Sequence, residues 1–326
     1  MKAICVRSAE PGRPLAWSDV PDPVPGPDEV LVEVFATSLN HADLAQREGN
    51  YPPPPGASEI LGLDAAGRIA SAGPNVKEWQ PGDRVCALLG GGGYAEYAAV
   101  PQDMLMRVPE GWTFEQAAAL PEAFLTAFVN IFTEAAFEPG EVVLVHGGAS
   151  GVGTSAIQLV CQAGGHVLAT AGTEEKVAVC RALGAELAVN YRERDFAAEV
   201  RDHTAGAGVD IILDMVGASY LERNIGLLKL KGRLVFIATQ SGAQATMDIG
   251  ALMGRRLRLI GSMLRARKPA EKAGITRGFV DRFGQALAAG AVRPVIDSVY
   301  PIERAEEAHR RMASGAHTGK IVLKVR

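Results

Sequence analysis

The middle of the chain alternates short apolar runs with stretches whose apolar residues repeat at helical spacing. We predict strands at EVVLVH, HVLATA, LAVNY, VDIILDMVG, RLVFIA and RLRLIGSM, and helices at TSAIQLVCQAG, EEKVAVCRALG, FAAEVRDHT and LERNIGLLK. Strands that alternate with helices form βαβ units, in which a parallel sheet is covered on both faces. The six strands therefore predict a doubly wound α/β sheet of the Rossmann type.

The first third of the chain has a different pattern, with short extended segments between many prolines and glycines. The segments EVLVEVFATSL, AAGRIASAG, DRVCALL and YAEYAAV predict an irregular antiparallel β domain. The runs PDPVPGPD and YPPPPG cannot continue a strand or a helix, because proline lacks the N–H and fixes φ. We interpret both runs as surface connectors, which a compact domain favours over a docking site for an aromatic groove.

The pattern changes near residue 122 and again near residue 265. The segment PEAFLTAFVNIFTEAA has helical spacing, so a domain boundary is predicted beside it. The later basic segment, MLRARKPAEK, is interpreted as a solvated connector. Helices are predicted after it at FVDRFGQALAAG and AEEAHRRMASG, with a last strand at KIVLKV. Ala305, Ala308 and Met312 form an apolar stripe on the second of these helices, which is more typical of packing than of function.

Composition excludes several classes of protein. The 326 residues include 33 Lys+Arg and 37 Asp+Glu, and this slightly acidic balance predicts no nucleic-acid partner. The four cysteines are widely spaced, so neither a disulfide scaffold nor a structural zinc site is expected; they are Cys5, Cys86, Cys161 and Cys180. No apolar stretch is long enough to span a membrane, and we expect a soluble, cytoplasmic protein without a membrane partner.

The segment LVHGGASGVGTSAIQLV carries the most specific motif in the chain. A strand ends at His146, a glycine-rich turn follows, and a helix begins. Gly148, Ser150 and Gly153 occupy the three fixed positions of G-x-G-x-x-G, with serine replacing the middle glycine and Gly151 beside it. Backbone N–H groups at such a turn can hold a pyrophosphate if no side chain blocks its approach. A glycine-rich turn can also be plain packing, but the surrounding βαβ series favours a dinucleotide cofactor.

The end of the second predicted strand indicates which dinucleotide would bind. An acidic residue there would accept a hydrogen bond from a free ribose 2′-OH. This chain has Gly172 and Thr173 at the turn and Lys176 one helical turn later. Glu174 and Glu175 fit ordinary first-turn acids that complement the helix dipole. Small residues with a lysine favour a 2′-phosphate, so NADPH is predicted over NADH.

Several segments resemble one known family from end to end. They are SLNHADLAQREGNYPPPPGASEILGLDAAG, LPEAFLTAF, HGGASGVGTSAIQL, AGTEEK, NYRERDF, LDMVGASY, GSMLRAR and GKIVLKV. The chain resembles the zinc-free quinone oxidoreductase (zeta-crystallin) branch of the medium-chain dehydrogenase/reductase superfamily, and more closely its tumour-suppressor-inducible subgroup. The resemblance implies a GroES-like, β-rich catalytic domain over residues 1–122 and 267–326, and a Rossmann NADPH-binding domain over residues 123–266. It also implies a homodimer, with RLRLIGSM as the edge strand that could pair across a two-fold axis.

The resemblance further implies roles for individual residues. Asn40 and Tyr51 match catalytic positions that line the nicotinamide and substrate cleft. The implied cofactor-binding residues are Thr126, Gly148, Ser150, Gly151, Val152, Gly153, Gly172, Thr173, Lys176, Tyr191, Ser262, Leu264 and Lys320. Gln46 departs from the tyrosine that some quinone reductases have there, which affects the expected aromatic wall of the cleft.

The metal ligands of zinc-dependent relatives are missing from this chain. Those relatives have a cysteine near the position of Asn40, and a histidine and a glutamate where Leu63 and Asp64 stand. His41 and Asp43 do not complete a site that needs three protein ligands and a water, so no metal is predicted. We interpret His41 as a satisfied polar side chain.

Without zinc, the expected acceptors are electron-poor compounds that take hydride directly from the nicotinamide. We predict an NADPH-dependent quinone oxidoreductase without zinc or flavin, with an enone or enoyl-thioester reductase as the alternative. Tyr51 could polarise the acceptor oxygen, donate a proton, or only pack, with Asn40 as a neutral hydrogen-bonding partner.

Two other interpretations are weaker. No tyrosine is followed four residues later by lysine, which excludes the catalytic pair of short-chain reductases. A crystallin-like or RNA-binding protein stays possible by family resemblance, but MLRARKPAEK is the one basic patch and it lacks an aromatic residue for base stacking.

Overall fold

The computed structural model describes residues 1–326, and the chain folds into two units. The first unit contains Met1–Leu125 and Arg265–Arg326, and the second contains Thr126–Leu264. The chain therefore crosses between the units at residues 125/126 and 264/265, whereas the sequence predicted crossings at 122/123 and 266/267. None of the helices has both the length and the apolarity needed to cross a membrane.

Fifteen strands form the sheets of the two units. In chain order they are β1 (Lys2–Val6), β2 (Leu15–Asp19), β3 (Glu29–Ser38), β4 (Asp64–Ala72), β5 (Arg84–Leu88), β6 (Tyr97–Pro101), β7 (Leu105–Arg107), β8 (Val142–Val145), β9 (His166–Ala171), β10 (Leu187–Asn190), β11 (Val209–Asp214), β12 (Leu228–Phe236), β13 (Arg258–Gly261), β14 (Ile296–Pro301) and β15 (Lys320–Lys324).

Ten α-helices connect these strands. In chain order they are α1 (His41–Glu48), α2 (Phe114–Ala118), α3 (Pro121–Phe128), α4 (Gly151–Gln162), α5 (Glu174–Ala182), α6 (Phe196–His203), α7 (Leu221–Leu227), α8 (Ile249–Arg255), α9 (Pro269–Ala288) and α10 (Ala305–Ala313).

The second unit is built on a six-stranded sheet in the order β10-β9-β8-β11-β12-β13. Every neighbouring pair is parallel. The strand order reverses between β8 and β11, which is the position where doubly wound sheets bind ligands. The predicted Rossmann-type sheet is confirmed, and RLRLIGSM contributes its edge strand β13.

The core of the second unit explains why its strands read as continuous apolar runs. Leu144, Leu168, Ile212 and Leu234 come from four different strands and are almost completely buried. They pack in one cluster with Phe196 of α6. A parallel strand that is covered by helices on both faces needs apolar residues on both faces.

The first unit contains a seven-stranded sheet in the order β14-β15-β3-β4-β5-β7, with β6 also paired to β3. Strand β3 pairs antiparallel with β4, β6 and β15. Strand β15, from the end of the chain, thus lies beside a strand from its beginning. A separate pair, β1 and β2, completes the strands of this unit.

Three predicted helices have different bounds in the structure. Helix α7 stops at Leu227, because Leu228 already pairs with Val209 as the start of β12. The helix predicted from Pro121 changes after Phe128 into a wider π-helical turn. Helix α9 starts at Pro269, ten residues before the predicted FVDRFGQALAAG, so the last four residues of the basic segment are helical.

The basic segment is also not a solvated connector. Arg265 is 3% exposed, and Arg267 forms an ion pair with Glu271. The charges of Arg265 and Arg267 are therefore engaged within the protein and do not form part of a patch for an RNA backbone.

Gly67 marks a close approach between β3 and β4. An added Cβ there would lie 1.9 Å from the carbonyl oxygen of Glu33. Gly274, on the exposed side of α9, has no atom within 4 Å of the same position.

We expect Gly67→Ala to lower the free energy of unfolding by about 3 kcal/mol, because the strands must separate to admit the methyl group. Gly274→Ala should raise it by about 0.5 to 1 kcal/mol, because alanine favours a helix interior. Urea unfolding of both variants measures these changes. Equal effects of the two substitutions would contradict the β3–β4 packing.

Candidate active site

The glycine-rich turn between β8 and α4 presents unused backbone donors. Ser150 is the N-cap of α4, and its Oγ accepts a hydrogen bond from the Gly153 amide at 3.0 Å. The amides of Gly151 and Val152 have no acceptor within the protein. Two free N–H groups at a helix N-terminus fit the oxygens of a pyrophosphate.

Two of the motif glycines serve packing rather than ligand approach. A Cβ on Gly153 would lie 2.2 Å from the Gly147 carbonyl oxygen, and one on Gly148 would lie 2.8 Å from the Ala169 Cβ. The sequence prediction had these glycines keeping the path to the pyrophosphate clear. In the structure, Gly153 lets α4 approach the turn, and Gly148 lets the turn approach β9.

A second set of residues gathers where β9 and β10 end. Thr173 caps α5 and accepts a hydrogen bond from the Lys176 amide at 3.3 Å. A Cβ on Gly172 would lie 3.0 Å from the Tyr191 hydroxyl oxygen and 3.5 Å from Nε of Arg192. The structure thus brings the predicted residues together and adds Arg192, which the sequence analysis missed. Its position directly after Tyr191 was the available signal.

Three further predicted cofactor residues lie at the ends of the second unit. Thr126 is its first residue, and its carbonyl oxygen accepts a hydrogen bond from Nδ2 of Asn130. Ser262 follows β13, and its amide donates to the carbonyl of Phe236. Leu264 is the last residue of the unit and is buried. Their roles toward a nicotinamide stay predictions.

A buried polar network that the sequence analysis did not identify supports the same end of the sheet. The ring nitrogens of His146 lie 3.0 Å from Oγ1 of Thr170 and 2.8 Å from Oδ1 of Asn224. Asn224 also donates to Oδ2 of Asp214. Burial lowers the pKa of His146 to about 4, and burial raises the pKa of Asp214. The network joins β8, β9, β11 and α7 through neutral histidine.

The first unit contains a separate buried polar cluster around Asp64. One carboxylate oxygen, Oδ2, accepts from Oγ of Ser38 at 2.6 Å, from Nδ2 of Asn40 at 2.7 Å and from Nζ of Lys320 at 3.3 Å. The other oxygen accepts from the amide of Glu122 at 2.7 Å. Asp64 is fully buried, so these donors replace the water that the charge has lost.

This cluster fixes the orientation of the Asn40 side chain. Lys320 donates its three N–H groups to the Leu39 carbonyl, to Oδ1 of Asn40 at 2.6 Å and to Asp64. Because Oδ1 must accept from lysine and Nδ2 must donate to aspartate, the amide has one orientation. The second Nδ2–H of Asn40 is the donor that the protein leaves unused. Lys320 therefore belongs with Asn40, although the sequence analysis grouped it with the cofactor-binding residues.

Asp43 supports the backbone of the same segment. Its carboxylate accepts from the backbone N–H of Asn40 at 2.7 Å, from the backbone N–H of Gly62 at 3.0 Å and from the Tyr94 hydroxyl at 3.2 Å. The Tyr94 oxygen also lies 3.3 Å from Nε2 of His309. Burial raises the pKa of Asp43 to about 6. Both carboxylate oxygens of Asp43 are thus committed to the fold.

Tyr51 lies in the loop that follows α1, whereas Asn40 caps the start of that helix. The eight residues of α1 span about 12 Å, so the two predicted catalytic residues flank its ends instead of contacting each other. The Tyr51 hydroxyl donates to no protein group, and burial raises its pKa. The phenol therefore stays protonated at neutral pH.

The positions that hold zinc in the zinc-dependent relatives have other roles here. Leu63 is completely buried, and its side chain has no atom that could bind a metal. Both carboxylate oxygens of Asp64 already accept hydrogen bonds within the cluster. His41 is exposed to solvent at the start of α1 and makes no hydrogen bond to the protein. These residues do not fit a zinc site of three protein ligands.

Comparison with known proteins identifies the two domains and the family. The family model of the alcohol dehydrogenase GroES-like domain matches residues 26–110, and that of the zinc-binding dehydrogenases matches residues 183–323. The human quinone oxidoreductase is 32% identical over 314 residues, covering 94% of this chain and 92% of that protein. This chain belongs to the quinone oxidoreductase family of the medium-chain dehydrogenases/reductases. Its first unit is the GroES-like domain, and its second is the Rossmann domain.

Other members of this superfamily are equally similar. The quinone oxidoreductase of Thermus thermophilus, solved also as its complex with NADPH, is 35% identical with a TM-score of 0.82, and the alignment covers 100% of both chains. A mycocerosic acid synthase-like polyketide synthase of Mycobacterium tuberculosis is 33% identical over 301 residues, which cover 92% of this chain but 14% of that protein. The narrower tumour-suppressor-inducible subgroup stays a prediction.

The buried His146 should make this quinone oxidoreductase family member less stable in acid. Its pKa is about 4 in the folded chain against 6.5 ordinarily, so between these values only the unfolded chain takes the proton. The free energy of unfolding should fall by about 2 kcal/mol from this group between pH 7 and pH 5.

Urea unfolding at the two pH values measures this effect. His146→Gln should lose about 2 kcal/mol less on acidification than the natural chain, because the titrating group is gone. His41→Gln is the matched control, since His41 is solvated in both states. An unchanged pH dependence in His146→Gln would contradict the neutral buried histidine.

Proposed function

We propose that this protein is an NADPH-dependent quinone reductase that uses neither zinc nor flavin. The observation that carries the proposal is the Asn40 amide, which the Asp64–Lys320 pair orients with one N–H unused. A fixed neutral donor suits an acceptor oxygen that gains negative charge as the acceptor is reduced. Quinones are acceptors of this kind.

The second unit has the residues that would hold NADPH. The free amides of Gly151 and Val152 fit the pyrophosphate, and Lys176 with Tyr191 and Arg192 fits a 2′-phosphate. The NADPH complex of the Thermus thermophilus relative supports this choice of nucleotide. When bound, NADPH supplies a hydride to the acceptor.

The chain's own residues would bind and polarise the acceptor. Lys320 donates to Oδ1 of Asn40, which withdraws electron density and makes the remaining Nδ2–H a stronger donor. Lys320 has no N–H left for the acceptor, so we assign proton delivery to solvent or to the neutral phenol of Tyr51. The protein would thus act by orientation and charge stabilisation more than by acid–base catalysis.

The second candidate is reduction of an enone or enoyl thioester. The polyketide synthase relative favours it, because this chain matches a small part of a much longer protein whose product is a polyketide. This reaction also needs a polarised carbonyl oxygen, and it adds a proton at carbon. Solvent or the Tyr51 phenol would supply that proton.

We also propose a cytoplasmic homodimer that pairs through the edge strand β13. Ile249 and Met253 of α8 support this interface, because they are 62% and 72% exposed on the segment that leads to β13.

Light scattering should give twice the chain mass of 34.3 kDa for the natural protein. Met253→Glu should give a single chain mass, because the charge would be buried in the interface. Val280→Glu, an exposed apolar position in the other unit, should leave the dimer intact. A single chain mass of the natural protein at micromolar concentration would contradict the proposal.

Lys176→Ala should raise the Kd for NADPH about 10- to 100-fold and leave the Kd for NADH unchanged, because it removes one charge-assisted contact with the 2′-phosphate. Arg201→Ala is the control, since it removes one exposed positive charge elsewhere in the same unit. Titration calorimetry measures both constants. Equal binding of NADPH by both variants and the natural chain would reject the assignment of Lys176.

The function is tested by stopped-flow oxidation of NADPH with ortho-quinones, para-quinones and 2-alkenals. Quinones should react fastest, and Asn40→Ala should lower kcat/KM about 100-fold through loss of its hydrogen bond to the acceptor oxygen. Tyr51→Phe should alter acceptor binding or turnover, and Asn50→Ala is an exposed control.

Oxidation by alkenals alone would favour the second candidate. Unchanged kinetics in both Asn40→Ala and Tyr51→Phe would remove these residues from the mechanism. No oxidation by any acceptor, together with RNA binding that weakens with salt, would reject the reductase and favour a non-enzymatic role.

A further inference from the structure

The guanidinium of Arg265 joins three separate segments of the first unit. Nε donates to the Gly90 carbonyl at 2.9 Å, Nη2 donates to Oε1 of Gln46 at 2.6 Å, and Nη1 lies 3.4 Å from the Tyr51 carbonyl. Arg265 is 3% exposed. A charge this deeply buried is stable only with such acceptors, so the three segments and the arginine fix one another.

The loop that carries Tyr51 is further restricted by the segments it contacts. Gln46 donates from Nε2 to the Glu59 carbonyl at 2.8 Å, so it links the far end of this loop to Arg265. The glycine run that contains Gly90 lies directly against the loop, since a Cβ on Gly91 would be 2.2 Å from the Ser58 carbonyl oxygen. Four prolines within the loop limit its φ angles.

These contacts give a physical reason for two sequence features that the nucleotide and the Asp64 cluster leave unexplained. The GGGG run lets the loop approach closely, and the YPPPPG run gives the loop a stiff backbone. Gln46, which replaces a tyrosine of some relatives, has an amide that can bond both the loop and the guanidinium. A tyrosine there would have one oxygen for both bonds, whereas the amide presents its donor and its acceptor on separate atoms.

Arg265 also contacts the Tyr51 side chain. Its Cζ lies 5.3 Å from the centre of the Tyr51 ring, within the range of a cation–π interaction. The ring is thus held from one face while its backbone is held through the carbonyl. The positive charge also opposes the rise that burial and Glu122 produce in the Tyr51 pKa.

We propose that Arg265 is a positioning residue for acceptor binding, which holds the Tyr51 ring and its loop in a single arrangement through Gln46 and Gly90. Arg265 itself contacts neither nucleotide nor acceptor in this proposal. The inference rests on the proposed function, because Tyr51 is assigned to the acceptor there. Loss of Arg265 should therefore weaken acceptor binding while leaving nucleotide binding and hydride transfer intact.

The first test is kinetic and uses the full chain. Arg265→Met should raise KM for the best quinone about tenfold, with kcat and the Kd for NADPH within about twofold of the natural values. Arg265→Lys should recover part of the affinity, since one ammonium keeps the charge but cannot reach three acceptors in a fork. Arg277→Met, an exposed position on α9, is the control for loss of one positive charge.

The second test does not depend on activity. In protein labelled with 13Cζ-tyrosine, the Tyr51 resonance is identified by its loss in Tyr51→Phe. Arg265→Met should shift this resonance and raise the Tyr51 pKa, because the cation over the ring is gone, whereas Arg277→Met should change neither. Gln46→Ala should shift the same resonance, and it serves if Arg265→Met does not fold.

The two tests separate the inference from the proposed function. An unshifted Tyr51 resonance and an unchanged acceptor KM in variants that fold would show that Arg265 has a structural role only. If the natural protein oxidises NADPH with no acceptor, the proposed function fails, and the resonance still decides whether Arg265 holds Tyr51. A shifted resonance with an unchanged acceptor KM would overturn the role in acceptor binding.

Discussion

The buried ion pair between Asp64 and Lys320 is the interaction on which the site of the first unit depends. The two side chains are 0% and 5% exposed, so both charges have lost nearly all contact with water. This desolvation is offset because both carboxylate oxygens of Asp64 accept hydrogen bonds and all three N–H groups of Lys320 donate them. Loss of one partner would leave an uncompensated buried charge and destabilise the fold by about 3 to 5 kcal/mol.

The pair also joins the C-terminal strand to the N-terminal part of the first unit. Lys320 is 256 residues from Asp64 and is the first residue of β15, which pairs with β3. Asn40 follows the end of β3, and its side-chain amide forms hydrogen bonds with both Asp64 and Lys320. The orientation of Asn40 therefore requires strand β15 to be in place, and the donor that we propose for an acceptor oxygen is set by folding before any ligand binds.

The sequence predicts the second unit better than the first for a physical reason. Strands covered on both faces and joined by amphipathic helices leave a periodic signal within each βαβ unit, and the observed sheet follows it. The Asp64–Lys320 pair leaves no such signal, because GLDAAG and GKIVLKV are ordinary strand sequences and any of 37 acids could pair with any of 33 bases. Family resemblance alone had placed Lys320, among the cofactor-binding residues.

Arg265 illustrates the same limit on local patterns. A basic segment suggests solvent, yet burial depends on acceptors that distant segments supply, here Gln46 and the Gly90 carbonyl. The ends of elements are similarly set by partners, as Leu228 shows by entering β12 where helical spacing continues. Local sequence gives the kind of element, and tertiary pairing decides where it ends.

Each unit contains one electrostatic feature on which the proposed function depends. In the second unit, two helix amides without a protein acceptor fit the expected phosphates. In the first unit, the Asn40 side-chain amide, bonded to the Asp64–Lys320 pair, is the donor that we propose for the acceptor. Burial moves His146 and His309 to pKa values of about 4, so neither changes charge at neutral pH. Asp43 differs, with a pKa of about 6, but it bonds the Asn40 backbone and not the amide donor. Polarisation of the acceptor should therefore depend on the acceptor's own electron affinity far more than on the protonation state of the protein.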